Sequence, residues 1–423
     1  MTKINTDELI KTDLTTRLTV DGITDTYDVY KIKLDKLYYN DQNDRIATWI
    51  SKYKADNNLE SFDLTDIDKY NEIIANFIKE SDEKAFKKTK NNIKALGQTE
   101  PAVILRDGRI IDGNRRFTCL RDLAKEDSKF NYLDAIIIGK DIQDSKKEIK
   151  LLELYLQHGR EERVGYNPID RLVGVYNDIV KNNLITVEEY AKNTEQTINE
   201  VKKMMDRATL MVEFLEFIDM SEHYYLARDW ELDGPLGEIT AVLNKVKTEE
   251  RREDIKNIIF TNMAIKPDTD MTRYIRKIKN LINTPQFEPF VEDNMNLSEK
   301  FLEKFDNNDE EKTVDFINKE IRGDEELRNE FKDVYDKYQE KVKKRNSINA
   351  PKNQIEKAID ALQNIDFEIV LRLNDESDYP QFLDALEMLD EEVKNIKKEV
   401  YGNDSSSNES WWAVNVANKW KYT

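Results

Sequence analysis

The stretch Asp112-Gly113-Asn114-Arg115-Arg116 brings together residue types that could hold a phosphate. It follows the apolar run Arg109-Ile110-Ile111 and precedes a helical pattern from Arg115 to Lys125, so it reads as a strand–turn–helix junction. The first N–H groups of a helix have no partner within the helix, and with the helix dipole they favour an anion. A glycine at that point lets the backbone approach a phosphate with no Cβ in the way. Two adjacent arginines in the first turn add forked donors that match phosphate oxygens. The same residues also suit a solvated helix start, with the arginines pairing to Asp112 and Asp122 and no ligand present.

A second group of polar residues lies further along. Thr186-Val187-Glu188-Glu189 and Thr197-Ile198-Asn199-Glu200 are both capping-box patterns, each starting a helix. Tyr190, Ala191 and Val201 supply apolar contacts for two helices meeting across a short turn. The second of these helices, Ile198 to Met211, carries Asn199, Lys202, Lys203 and Arg207 outward, with Thr197 at its start, as a DNA-recognition helix would. Its neighbourhood is net acidic, which a DNA reader must overcome.

These groups sit in two kinds of framework. Val29 to Leu34 alternates as a half-buried strand, and residues 46–95 read as helices with a polar interruption near 55–68. Ala102-Val103-Ile104-Leu105 and Arg109-Ile110-Ile111 are strands joined by an Asp107-Gly108 hairpin, and Ala135 to Ile138 is a further strand. From Glu148 on, helical periodicity takes over, with breaks expected at Gly165–Pro168, Asp233-Gly234-Pro235, Lys266-Pro267-Asp268, Asn283-Thr284-Pro285 and Ala350-Pro351. Acidic helices are expected over Leu297–Phe305, Asp324–Lys344 and Gln354–Asn364. The Asn/Ser-rich stretch Asn403–Ser410, followed by Trp411-Trp412, reads as a linker and tail.

The segment from Gly97 to Phe117 resembles the first signature box of the ParB partition-protein family, on the ParB/sulfiredoxin fold. In that family a Gly-containing loop ending in proline, a hairpin and a Gly-Glu-Arg-Arg turn precede a helix. Gly97-Gln98-Thr99-Glu100-Pro101, Asp107-Gly108 and Gly113-Asn114-Arg115-Arg116 stand in those places, with Asn114 replacing the glutamate. Ile32 to Leu37 and the following Asn43-Asp44-Arg45 resemble the family's opening strand and arginine. Asn167-Pro168 resembles the Asn-Pro that opens the helix before the family's helix-turn-helix. The resemblance covers roughly residues 28–220. It implies an α+β N-terminal domain, then a largely helical remainder with a helix-turn-helix.

The resemblance also implies a nucleoside triphosphate (CTP or ATP) with Mg at Gly97, Thr99, Glu100, Gly113, Asn114, Arg115 and Arg116, and double-stranded DNA at the helix-turn-helix. Relatives on this fold include nucleases and kinases, which would make Asp112 or Glu153 a base or metal ligand. The family's second box, Glu-Asn-x-Gln-Arg, is only partly present: Gln157 matches, Leu154 and Tyr155 replace the acid and amide, and Glu153 lies one position early. Nucleotide binding with slow or absent hydrolysis is therefore expected. His158 beside that box reads as structural before catalytic.

Composition limits the alternatives. The chain has 423 residues, 39% hydrophobic and 36% charged, with 12 Gly and 8 Pro, so it is rich in helix formers. One cysteine and two histidines exclude an internal disulfide and a Cys/His zinc site, and fit a reducing cytoplasm. No apolar run is long enough to span a membrane. The net charge of −19 resides almost wholly beyond residue 160. An acidic surface there suits a protein partner better than phosphate. The division expected is 1–27 as an arm or short leading strands, 28–160 as the nucleotide-binding domain, and 161–230 as the helix-turn-helix domain. Residues 231–402 follow as an acidic helical domain and 403–423 as a flexible tail. A DNA-associated nucleotide binder of a plasmid, phage or other mobile element, with a homodimer among the expected partners, is the leading expectation. An enzyme on the same fold and an acidic protein–protein regulator are the rivals.

Overall fold

A computed structural model describes residues 4, 9–20, 23–139, 145–158, 167–306, 312–370 and 378–401. Residues 1–343 form one compact unit and 344–423 a second. Unit one begins with a hairpin of β1 (Ile10–Val20) and β2 (Ile23–Lys33), then β3 (Tyr38–Tyr39), α1 (Ala47–Asp56), α2 (Ile67–Ser81) and α3 (Glu83–Leu96). Next come β4 (Ala102–Leu105), β5 (Arg109–Asp112), α4 (Asn114–Ala124), β6 (Tyr132–Ile138) and α5 (Lys146–His158). The six strands form one mixed sheet in the order β1-β2-β6-β4-β5-β3. β4 lies between parallel β6 and antiparallel β5, and all four of its residues are buried. A strand covered on both faces reads as a continuous apolar run, which is why Ala102 to Leu105 shows no alternation.

One face of the sheet packs on α2, α3 and α4 through Ile74, Phe86, Phe117 and Leu120. The other is covered by α5, whose Ile149, Leu152 and Leu156 meet Val103, Ile136 and Leu18. Leu154 points from the opposite side of α5 into the helical core. This one helix therefore joins the sheet layer to the helical layer.

Helical structure continues with α6 (Pro168–Val175), capped by Asn167 and running into a π-helical turn at Tyr176–Lys181. Then come α7 (Val187–Thr194), α8 (Ile198–Phe217), α9 (Tyr224–Asp229), α10 (Asp233–Leu243), α11 (Glu249–Ile265), α12 (Met271–Ile278) and α13 (Phe287–Asp306). A short α14 (Val314–Phe316) precedes α15 (Glu325–Gln363), α16 (Phe367–Val370) and α17 (Asp378–Tyr401). No helix among the described residues is long and apolar enough to cross a membrane.

Several expectations change. Within the segment 1–27, read as an arm or short leading strands, residues 10–20 and 23–27 belong to the long outer strands of the sheet, because Leu18, Val20 and Val29 join the core beneath α5. No packing boundary falls at residue 230: Trp230 stacks edge-on to Phe214, which meets Phe260, so α8 and α11 share one core. Asp233-Gly234-Pro235 is not a break but the start of α10, since proline is tolerated in a first helical turn. α15 passes through Pro351 without interruption, joining two helices expected to be separate. His158 ends α5, but its side chain, the Gly159–Gly165 insertion, Asn403–Ser410 and Trp411-Trp412 lie outside the described residues.

Candidate phosphate-binding site

β5 ends at Asp112 and α4 starts at Asn114, so Gly113 is the N-cap, with φ of 104°. A Cβ on Gly113 would sit 2.7 Å from Ala102 Cβ. Only glycine allows both that backbone and that approach. No side chain caps α4, which leaves its first N–H groups facing a cleft of about 370 Å³. Asn43, Arg45, Asn114, Arg115, Arg116 and Gln157 help to line it. Arg115 Nε, Asn114 Oδ1 and Gln157 Oε1 of these lining residues are buried atoms without hydrogen-bond partners among the described residues. Buried polar atoms left in that state cost about 1–3 kcal/mol each, so a ligand that meets them gains accordingly.

The two arginines divide their duties. Arg116 donates through Nη1 to the backbone carbonyls of Glu100 (2.7 Å) and Pro101 (3.3 Å), and through Nη2 to Asp112 Oδ2 (2.7 Å). It braces the turn. Among the described residues, Arg115 makes a long ion pair, Nη2 to Asp82 Oδ2 at 3.9 Å, and it also lines the cleft. Asp112, a candidate base, is engaged by Arg116.

The other expected contacts are spread more widely. Glu100 lines the cleft, whereas Gly97 and Thr99 do not. Gly97 instead closes α3 in a positive-φ conformation, and Thr99 is exposed. Gln98 anchors the loop by pairing its side chain with both backbone groups of Asp134.

Glu153 is almost wholly buried and belongs to a charge cluster that sequence reasoning missed. Lys150 Nζ lies 2.9 Å from Asp44 Oδ1, 3.2 Å from Asp178 Oδ2 and 3.8 Å from Glu153 Oε2. Glu153 also accepts from Gln157 Nε2 (2.9 Å) and Asn40 Nδ2 (3.4 Å). Burial drives the Glu153 and Asp178 carboxyls upward, against the pull of Lys150. Burial would lower the Lys150 ammonium, but its three acids hold it well above the usual lysine range. A cation is thus already seated where Glu153 would have to bind a metal, so the candidate metal ligand is a partner of Lys150. Leu154 and Tyr155 pack in hydrophobic clusters and supply neither the carboxylate nor the amide of the family's second box. The signal available beforehand was Lys150-x-x-Glu153 on an otherwise apolar helix, since charges on a core-facing side are paired or not tolerated.

The helix pair around Glu195 has both capping boxes formed, at Thr186/Glu189 and Thr197/Glu200. Tyr190, Ala191 and Val201 are buried in one cluster, and Glu195 turns the chain at φ of 55°. Thr197, Asn199, Lys202 and Lys203 are exposed. Arg207 departs from the expected outward row, because Nη1 donates to Asp233 Oδ1 at 3.1 Å and ties α8 to α10. Lys147 pairs with Glu189 at 2.7 Å, joining α5 to the first turn of α7.

No family model matches the chain, and no curated protein matches it. Among solved structures, the chain is similar to the C2221 form of a Pnob8-like ParB-N domain, at 12% identity and a TM-score of 0.32, covering 66% of this chain and 97% of that one. It is also similar to a pNOB8-like ParB N-domain structure, at 13% identity and a TM-score of 0.30, covering 66% and 91%.

Proposed function

We propose that this chain is a ParB-like, DNA-associated protein that binds a nucleoside triphosphate at the α4 N-terminus. The observation that carries the reading is the uncapped start of α4, with Arg115 Nε and Asn114 Oδ1, from residues lining one cleft, buried and without hydrogen-bond partners among the described residues. The cleft volume is within the range of small-ligand sites, about 300–1,000 Å³. The phosphates would lie against the α4 N–H groups and the Arg115 guanidinium, with Arg116 holding the turn in shape. Magnesium would be held chiefly by the phosphates and water, because Asn114 Oδ1 and Gln157 Oε1 are neutral oxygens and Glu153 is committed to Lys150. Hydrolysis is slow or absent on this reading, since Asp112 is engaged by Arg116 and Glu153 by Lys150.

The test is thermal stabilisation and calorimetric titration with CTP and with ATP, each with and without magnesium. Arg115→Ala is expected to weaken binding about 10- to 100-fold with stability unchanged. Arg116→Ala should lower stability as well, because it removes the bonds that tie the turn to Glu100, Pro101 and Asp112. A wild-type protein that no nucleotide stabilises would overturn the proposal.

In the same reading α7 and α8 act as a helix-turn-helix, with Thr197, Asn199, Lys202 and Lys203 toward DNA. α5 is the physical link, since it carries Gln157 to the cleft and Lys147 to α7. Lys202→Ala and Lys203→Ala are each expected to weaken duplex binding and flatten the salt dependence by about one unit of slope. A salt slope the same in wild type and double variant would remove this helix from DNA contact.

A further inference from the structure

Besides the phosphate cleft, unit one holds a second cavity of about 1150 Å³, and the two share Asn43 alone among their lining residues. Asp44 and Lys150 line it, together with Asp178 of the π-helical turn. All three are buried, Asp178 to 6% exposure and Lys150 to 5%. Asp178 Oδ2 accepts no hydrogen bond among the described residues, although Lys150 Nζ stands 3.2 Å away. The Asp178 backbone is fixed as well, since its carbonyl accepts from the N–H groups of Leu184 (2.8 Å) and Ile185 (3.3 Å). Glu153, which does not line the cavity, shares the same ammonium at 3.8 Å, so three carboxyls meet one cation. Burial lifts the Asp178 and Glu153 carboxyls, and the Asp44 carboxylate lifts them further. Buried carboxylates are stable when paired and hydrogen-bonded, so a second cation reaching Asp178 gains both kinds of contact.

A metal ion does not suit the place, because among the described residues no three Asp, Glu, His or Cys side chains are gathered to hold one. An ammonium or guanidinium needs only acceptors, and Asp178 Oδ2 provides one. The outer part of the cavity bears on the rest of the ligand. Lys54, Lys146 and Glu60 line it nearer solvent, and none of them makes an ion pair among the described residues. Lys181, by contrast, is already paired to Glu222. Ile50 and Val173 add apolar wall. We infer that this cavity binds a free basic amino acid. Its side-chain cation lies on Asp178, its methylenes run along Ile50 and Val173, and its carboxylate and α-ammonium lie among Lys54, Lys146 and Glu60. The inference does not depend on nucleotide binding at α4.

Calorimetric titration of the full chain with L-lysine, L-arginine, L-norleucine and cadaverine at fixed ionic strength tests it. Norleucine is lysine without the side-chain ammonium, and cadaverine is lysine without the carboxylate. Lysine or arginine should bind with Kd below about 1 mM, and norleucine at least about tenfold more weakly. Asp178→Asn should weaken lysine binding about 10- to 100-fold and bring lysine level with norleucine. Lys54→Ala/Lys146→Ala should weaken lysine about two- to fivefold and leave cadaverine unchanged. These two lysines lie toward solvent, so that variant decides the matter even where Asp178→Asn does not fold. Failure of both basic amino acids to bind below about 1 mM overturns the inference. So does norleucine bound as tightly as lysine, or lysine affinity that neither variant alters. Magnesium chloride is the inorganic arm: binding that Asp178→Asn abolishes, with lysine and arginine silent, would make this a metal site and likewise overturn it.

Discussion

Lys150→Met is expected to lower the unfolding free energy by about 3–5 kcal/mol, the usual cost of stripping one partner from a buried ion pair. Methionine fills a similar volume, so the loss is not a cavity effect. What remains is Asp44, Glu153 and Asp178 converging on one buried point with no cation between them. The loss should also depend on pH. Burial raises the Glu153 and Asp178 carboxyls in the folded chain, so the folded state binds protons more tightly than the unfolded one. A group with a raised folded pKa contributes stability at low pH, and that contribution is lost as pH rises from the ordinary carboxylate range toward the raised value. Removing the ammonium raises these carboxyls further. The deficit of Lys150→Met should therefore be smallest near pH 4.5 and widen toward pH 8. Adding Glu153→Gln should recover part of it by removing one of the stranded charges. Urea denaturation of the three proteins across that pH range measures this; a deficit under about 1 kcal/mol, or one that shrinks with pH, would show that the cluster is not held by Lys150.

The turn at Gly113 was readable from sequence because every part of its signal is local: an apolar run, a glycine, a helical pattern. The roles of Arg115 and Arg116 were not separable in that way. Adjacent residues on a helix point about 100° apart, so one guanidinium folds back on Glu100, Pro101 and Asp112 while its neighbour pairs with Asp82 and lines the cleft. The charge cluster was hidden for the opposite reason. Lys150 finds Asp44 and Asp178 on other elements, and no spacing along the chain reports that meeting. Residues 10–27 looked like an arm because most side chains of β1 face solvent and only Leu18 and Val20 reach the core. The capping boxes of α7 and α8 were legible to the residue, since both partners lie within four positions.

Gly113→Ala is expected to cost about 2–4 kcal/mol and to abolish nucleotide binding. Two penalties combine at this position. The backbone is held at φ of 104°, where an L side chain is strained, and the new Cβ would lie 2.7 Å from Ala102 Cβ and 3.3 Å from its Cα. Ala102 belongs to β4, which is hydrogen-bonded on both sides, so the collision cannot be relieved by moving that strand. The start of α4 has to shift instead, and its N–H groups leave the geometry that would receive a phosphate. Gly97 supplies the control. It too has a positive φ, 76°, but a Cβ there meets nothing within 4 Å. Gly97→Ala should pay the backbone strain alone, about 1–3 kcal/mol at φ 76° and ψ −173°, and leave binding intact. Gly113→Ala/Ala102→Gly removes the colliding methyl and should recover the packing share of the loss but not the strain. The readouts are urea midpoints for stability and calorimetric affinity for CTP and ATP at a temperature where all variants are folded. If Gly113→Ala costs no more than Gly97→Ala and binds nucleotide as wild type does, the close approach of the turn to β4 is not what shapes the cleft.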